Sequence, residues 1–118
     1  MSGAELEDKV ADTFERHGYI VFRRRNHCDV LAVKPDMTLA YLIECKDYQL
    51  SKKQQSLAVR ELNRNYTYAL EILKDTRLFP ERILKVLVAH AFTYQSRGIF
   101  QYTPKEFLKH ISPLSTES

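Results

Sequence analysis

Three charged residues of this chain have a spacing that could bring them together on a β-hairpin. Asp29 lies within one apolar, strand-like run, and Glu44 and Lys46 lie at the end of the next. A two-residue turn at Asp36-Met37 would place Asp29 directly across from Glu44, since the position of the turn sets the register of a hairpin. Side chains alternate between the two faces of a strand. The sequence therefore predicts that Asp29, Glu44 and Lys46 share one face.

Two carboxylates in that arrangement repel each other, because facing Cβ atoms of neighbouring strands are roughly 5 Å apart. Glu44 also follows the apolar pair Leu42-Ile43, where a charge is costly unless it is paired or bound to a metal. We therefore expect a divalent cation between Asp29 and Glu44. Two alternatives remain: ordinary acidic residues at strand ends, or a loop one residue longer or shorter that would put the two acids on opposite faces.

A third acidic residue stands on the predicted first helix, residues 4–17. Leu6, Val10 and Phe14 recur at helical spacing and form one apolar side. Glu7 falls inside that apolar arc, where a carboxylate lowers stability. It is a candidate functional group, and the alternative is a side chain at the edge of the arc that reaches solvent.

The remaining patterns predict a single α/β domain over residues 1–111, followed by a disordered tail over 112–118. The predicted strands are 19–22, 27–33, 39–46, 83–89 and 99–102, and the predicted helices are 4–17, 51–74 and 103–111, with a turn or short helix at 92–97. The order α-β-β-β-α-β-β-α indicates a mixed sheet, with three antiparallel strands and a crossover helix returning to a fourth.

Two packing details follow from the same patterns. We expect the strand 83–89, the most apolar of the chain, to lie centrally in the sheet. A capping box at Ser51 and Gln54 opens the long second helix. The predicted buried side of that helix consists of Leu57, Leu62, Tyr66, Ala69 and Leu73.

Composition sets limits on the class of protein. The chain has 118 residues, 44% of them hydrophobic, and a net charge of +3, as expected for one globular domain that permits nucleic-acid binding. It has no membrane-length apolar run and no signal peptide at its start, so we expect an intracellular protein. Cys28 and Cys45 should face each other on the side of the hairpin away from the acids. They are free thiols or, in a hyperthermophile, a disulfide.

Basic residues flank the acidic pair on both sides in sequence. Such cations suit a nucleic-acid backbone, whose phosphates are gripped by Lys and Arg. For the arginine run, a solvated strand end is an equal alternative. The candidate DNA-binding residues are Arg23, Arg24, Arg25, His27, Lys52, Lys53 and Arg60.

Taken together, these motifs resemble the PD-(D/E)xK nuclease superfamily, which has the restriction-endonuclease-like fold. The resemblance rests on Glu7, Asp29, the tripeptide Glu44-Cys45-Lys46 and the element order, over roughly residues 3–91. It is strongest to archaeal Holliday junction resolvases and to modification-dependent restriction endonucleases. Cys28 stands where the superfamily motif has proline, a position that does no chemistry. The resemblance implies a three-layer sandwich with a mixed central sheet.

The resemblance also implies a function and a role for each site residue. Asp29 and Glu44 would bind Mg²⁺, with Mn²⁺ able to substitute, Glu7 would complete the acidic cluster, and Lys46 would position or activate the attacking water. The expected activity is that of a DNA endonuclease acting on branched or otherwise structurally distinctive DNA, as in recombination and repair.

Acting on two strands would require a homodimer, for which residues 92–94, Phe100 and Tyr102 are a candidate surface. Two alternatives stay open. One is a restriction or repair-type nuclease domain that a partner protein targets. The other is a non-cleaving nucleic-acid-binding module with the same fold.

Overall fold

The computed structural model describes residues 3–112, which form one mixed sheet covered by helices on both faces. The helices are Gly3–Arg16 (α1), Lys52–Thr76 (α2) and Pro104–Ile111 (α3), and the strands are Ile20–Arg25 (β1), Cys28–Val33 (β2), Ala40–Cys45 (β3), Ile83–Val88 (β4) and Phe100–Tyr102 (β5). The strand order is β1-β2-β3-β4-β5. The first three strands are antiparallel, and β4 and β5 run parallel to β3. The predicted α/β class and element order are confirmed.

Two hydrophobic clusters, one on each face of the sheet, hold the layers together. On one face α1 and α3 pack against side chains of β2, β3 and β4, and this cluster includes Leu6, Phe14, Val30, Ile43, Val86 and Phe107. On the other face α2 packs against the alternate side chains, and this cluster includes Leu31, Leu42, Ala58, Leu62, Ala69 and Leu87. The result is the predicted three-layer sandwich.

Local sequence signals account for the helix ends. Gly18, which has a φ of +82°, ends the first helical segment in a conformation that costs glycine little. Ser51 and Gln54 form the predicted capping box of α2. Thr103 caps α3, and Pro104 occupies its first turn.

The β2–β3 hairpin has the predicted register. Val30 pairs with Ile43 and Val33 pairs with Ala40. The turn is longer than predicted, because the Lys34 N–H donates to the Leu39 carbonyl at 3.0 Å and leaves four residues in the loop. Adding one residue on each side keeps the parity of the hairpin, so the longer loop by itself moves no side chain to the other face.

Several predicted details differ from the structure. Leu57 is 44% exposed, because the buried stripe of α2 passes through its neighbour Ala58. Of the two forms predicted for residues 92–97, the short helix is absent, and the segment consists of a bend and the start of a turn. β4 is an interior strand, but β3 holds the central position. Apart from residue 112, the predicted tail lies outside the described residues. Within residues 3–112, no helix is long and apolar enough to span a membrane.

Candidate active site

The carboxyl end of β3 places Glu44 and Lys46 beside α2. The Glu44 side chain is only 5% exposed, and its Oε2 lies 3.4 Å from the Lys46 Nζ. The same Nζ lies 3.4 Å from Oε2 of Glu61, a residue of α2. Asn65, one helical turn further along, donates from its Nδ2 to Glu44 Oε1 at 3.4 Å. Lys46 is thus shared by two carboxylates, and Glu44 is held on both of its oxygens.

Asp29 joins this group from β2 through a backbone contact. Its Oδ2 accepts a hydrogen bond from the Cys45 N–H at 3.1 Å. The backbone pairing of β2 with β3 ends at Val30 and Ile43. Beyond that pair, the Asp29 carboxylate accepts the hydrogen bond from the Cys45 N–H in place of a backbone carbonyl of β2. Asp29 also interacts electrostatically with Glu44 and Lys46. The structure therefore brings together the three residues that the hairpin argument predicted.

Glu7 lies at the α1 side of the same group. Its side chain is 15% exposed, and Oε1 forms an ion pair with the Arg24 Nη1 at 3.1 Å. The negative charge of Glu7 contributes to the raised pKa of the Asp29 carboxyl, although burial of Asp29 is the larger cause. Glu7 is therefore close enough to act on the cluster, but its charge is already paired.

Burial makes both central carboxyls weaker acids than usual. It raises the pKa of Asp29, against the opposing effects of the Cys45 N–H and of Lys46. Burial, followed by the nearby charge of Asp29, raises the pKa of Glu44 to about 8. Burial alone would lower the pKa of Lys46, but the negative charges of Glu44 and Glu61 outweigh it and raise that pKa. One ammonium group does not offset this concentration of negative charge.

The donor set fits a hard divalent cation. Mg²⁺ prefers carboxylate oxygens and retains several waters, so it needs only one or two protein carboxylates. Asp29 and Glu44 supply two, and a cation beside them would stabilise the ionised forms that burial disfavours. Within residues 3–112, no group of three or more His, Cys, Asp and Glu side chains is assembled as a metal site. Glu7 would have to leave Arg24 to complete such a group.

The arginine run has partners within the protein. Arg23 forms ion pairs with acidic residues along α1, namely Asp8 at 3.4 Å, Asp12 at 2.6 Å and Glu15. Arg24 binds Glu7 and also Asp8, at 2.9 Å. These contacts fasten β1 to α1, and any contact of Arg23 or Arg24 with DNA would compete with them.

The other predicted DNA-binding residues have fewer contacts. The Arg25 guanidinium lies 5.3 Å from the centre of the Phe22 ring. His27 packs against Tyr68 of α2, with ring centres 4.7 Å apart. Lys52, Lys53 and Arg60 are exposed on the first turns of α2. DNA binding by these residues stays a prediction.

The two cysteines are free, buried thiols, but the prediction that they face each other is wrong. Cys45 belongs to the α1 face of the sheet. Cys28 lies on the α2 face, with its Sγ 3.6 Å from the Asn65 carbonyl. The alternation of side chains along β2 breaks beyond Val30, opposite Arg24, whose positive φ of 47° interrupts the β1–β2 pairing.

Sequence reasoning missed Glu61 and Asn65. They are one turn apart on α2, so they face the same side of the helix. A signal was present in the sequence, because Asn65 continues the stripe that Ala58, Leu62 and Ala69 form. A polar residue in an otherwise apolar stripe marks a position whose side chain has a specific partner.

Comparison with known proteins identifies the family. Residues 1–70 match the family model Mrr_cat, described as a restriction endonuclease. The match covers more than half of the chain, including Glu7, Asp29, Glu44 and Lys46, so the chain belongs to this family. It is a nuclease domain with the restriction-endonuclease-like fold, a hydrolase whose substrate is DNA. No curated protein matches the chain.

Proposed function

We propose that this protein is a Mg²⁺-dependent endonuclease that hydrolyses phosphodiester bonds in DNA. One observation carries the proposal: Asp29, Glu44 and Lys46 meet at the end of β3, and the Cys45 N–H fixes the Asp29 carboxylate. A cluster of two buried carboxylates and a lysine has the groups needed to bind a hard cation and to act on a phosphate. Mn²⁺ should substitute for Mg²⁺.

Asp29, Glu44 and Lys46 have different roles in the proposed reaction. Asp29 and Glu44 would hold the ion, which would polarise the phosphoryl group and offset its charge. Lys46 is kept charged by Glu44 and Glu61, so it does not act as a base. Its ammonium group instead orients the attacking water and stabilises the negative charge that develops on the phosphate.

Glu7 is proposed as the third acidic member of the site. In the structure Arg24 pairs with it, and a cation would compete with that guanidinium for the carboxylate. Arg24 also binds Asp8, so it keeps a partner when Glu7 is released. The exchange therefore leaves no charge of this group unpaired.

For the substrate we propose branched or otherwise structurally distinctive DNA, cut by a homodimer. The resemblance of Glu7, Asp29 and Glu44-Cys45-Lys46 to archaeal Holliday junction resolvases supports this substrate, and cutting two strands of a junction would require two active sites. Phe100 is 47% exposed on the edge strand β5 and is a candidate for the dimer surface. The family match favours a second candidate, a restriction-type nuclease acting on modified duplexes or guided by a partner.

Cleavage assays separate these functions. The purified full chain is incubated with four-way junctions, modified duplexes, plain duplexes and single strands, each with Mg²⁺ and with a chelator. Preferential, chelator-sensitive cutting of junctions supports the first proposal, and cutting of modified duplexes alone supports the second. Tight DNA binding without cleavage in Mg²⁺ or Mn²⁺ would instead indicate a non-cleaving module.

A further inference from the structure

Asn65 is a polar residue on the core-facing side of α2. It is 3% exposed and lies between the buried residues Leu62 and Ala69. Asparagine is a poorer helix former than leucine, and a buried amide must give up its hydrogen bonds to water. Helix formation and core packing therefore both favour an apolar residue at this position.

The two polar atoms of the Asn65 side chain have different environments. Nδ2 donates to Glu44 Oε1 at 3.4 Å. Oδ1 has no hydrogen-bond partner, and within residues 3–112 it is the one buried side-chain nitrogen or oxygen in that condition. An unpaired buried carbonyl oxygen lowers stability. The amide is thus unfavourable at one end and serves Glu44 at the other.

The contact fixes the orientation of the Glu44 carboxylate. Asn65 Nδ2 holds Oε1, and Lys46 Nζ lies 3.4 Å from Oε2. Without the amide, Glu44 Oε1 would lose this donor, and the carboxylate would rotate more freely about its terminal torsion, which has a broad energy profile. Residues that hold a metal ligand in place by hydrogen bonds are known to set metal affinity.

We propose that Asn65 is a positioning residue that orients the Glu44 carboxylate for cation binding, an inference that rests on the proposed metal-dependent function. In this role it would touch neither the ion nor the DNA. It acts through Glu44, and the unpaired Oδ1 is the stability cost of keeping a donor at that point. Replacing the amide with leucine should therefore preserve or raise stability while weakening cation binding.

The test compares two variants of Asn65 with one matched control. Asn65→Leu fills the site with an apolar side chain, Asn65→Ala leaves a cavity, and Asn63→Leu makes the same change at an exposed position of α2. Asn63 accepts a hydrogen bond from Lys85 and makes none with Glu44.

Three measurements are made on the full chain. Mn²⁺ binding is measured by electron paramagnetic resonance, thermal unfolding is measured without metal, and cleavage is followed against Mg²⁺ concentration.

Both Asn65 variants should bind Mn²⁺ about 10–100-fold more weakly than the wild type. Their stabilities should change in opposite directions: Asn65→Leu should melt at or above the wild-type temperature, and Asn65→Ala should melt below it. Both should need more Mg²⁺ for half-maximal cleavage, with smaller losses at saturating Mg²⁺. Asn63→Leu should bind Mn²⁺ like the wild type.

Two results would overturn the role of Asn65: wild-type Mn²⁺ affinity in Asn65→Leu, or an affinity loss that follows the loss of stability and occurs in Asn65→Ala alone. Failure of the proposed function itself would look different. In that case the wild-type protein would bind no Mn²⁺ at the cluster, and Asp29→Asn would leave its Mn²⁺ titration unchanged.

Discussion

The Cys45 backbone N–H donates to the Asp29 side chain, at 3.1 Å from Oδ2. A carboxylate of one strand thus replaces a backbone hydrogen bond between β2 and β3 at the point where their pairing ends. The contact fixes Asp29 beside Glu44 without any further side chain. Because this hydrogen bond joins β2 to β3, the position of Asp29 relative to Glu44 depends on the register of the hairpin.

Lys46→Ala should lose most cleavage activity while its affinity for DNA stays close to that of the wild type. Lys46 contacts Glu44 and Glu61 inside the cluster, so its proposed role is at the reacting phosphate and the attacking water. Loss of a group that stabilises developing charge costs about 10²–10³-fold in rate. Single-turnover cleavage gives the rate, and DNA binding in Ca²⁺ gives the affinity. Equal losses in both would make Lys46 a phosphate anchor.

Glu7→Gln should reduce the cleavage rate strongly with little change in melting temperature. The charge of Glu7 acts on Asp29, and Gln keeps the shape of the side chain. Asp8→Asn is the matched control, because Asp8 also pairs with Arg24 but, unlike Glu7, is not one of the main charges that raise the pKa of Asp29. If the two variants lose activity equally, the ion pairs to Arg24 matter and the acidic cluster has only two carboxylates.

The metal-free protein should lose stability as the pH rises from about 4.5 to about 8. Burial raises the pKa of Glu44 to about 8 in the folded state, against 4.5 for the free side chain. Between these values the folded state binds more protons than the unfolded state, so unfolding becomes easier with rising pH, by at most about 1.4 kcal/mol per unit for one group. Denaturant unfolding across this range should show a shallower pH dependence for Glu44→Gln. An unchanged slope would contradict the assignment to Glu44.

Arg23→Ala and Lys53→Ala should separate folding from DNA binding. Arg23 joins three acidic residues of α1, so its removal should lower the melting temperature and leave the salt dependence of DNA binding nearly unchanged. Lys53 is exposed on α2. Its removal should weaken DNA binding uniformly and reduce the slope of log affinity against log salt by about 1. If Arg23→Ala instead weakened DNA binding and left the melting temperature unchanged, Arg23 would belong to the DNA interface.

The fold and the central pair were predictable because they depend on local signals. Strand alternation and the parity of the turn were sufficient to place Asp29 beside Glu44, even though the loop is longer than expected. The helix ends at Gly18 and Ser51 follow from residue types that favour those conformations. Such local signals can be recognised in a single sequence.

The remaining features depend on tertiary structure. Cys28 lies on the α2 face because the β1–β2 pairing is interrupted at Arg24, which has a positive φ. Arginine rarely adopts a positive φ, so the residue type gives no sign of this interruption in the sequence. The ion pairs of Arg23 require α1 to pack across β1. Glu61 and Asn65 reach the site only because α2 crosses the end of β3, and sequence periodicity does not give that crossing point.

The most direct test of the account is metal-dependent DNA cleavage by the wild type, Asp29→Asn and Glu44→Gln. These variants keep side-chain shape but remove one charge each, so they should fold and melt at or above the wild-type temperature, because the two acids repel each other when ionised. We expect the wild type to cut DNA with Mg²⁺ and not with chelator, and both variants to lose cleavage and Mn²⁺ binding. Cleavage by either variant at the wild-type rate, or wild-type cleavage in the presence of chelator, would contradict the assignment of Asp29 and Glu44 as the metal-binding pair.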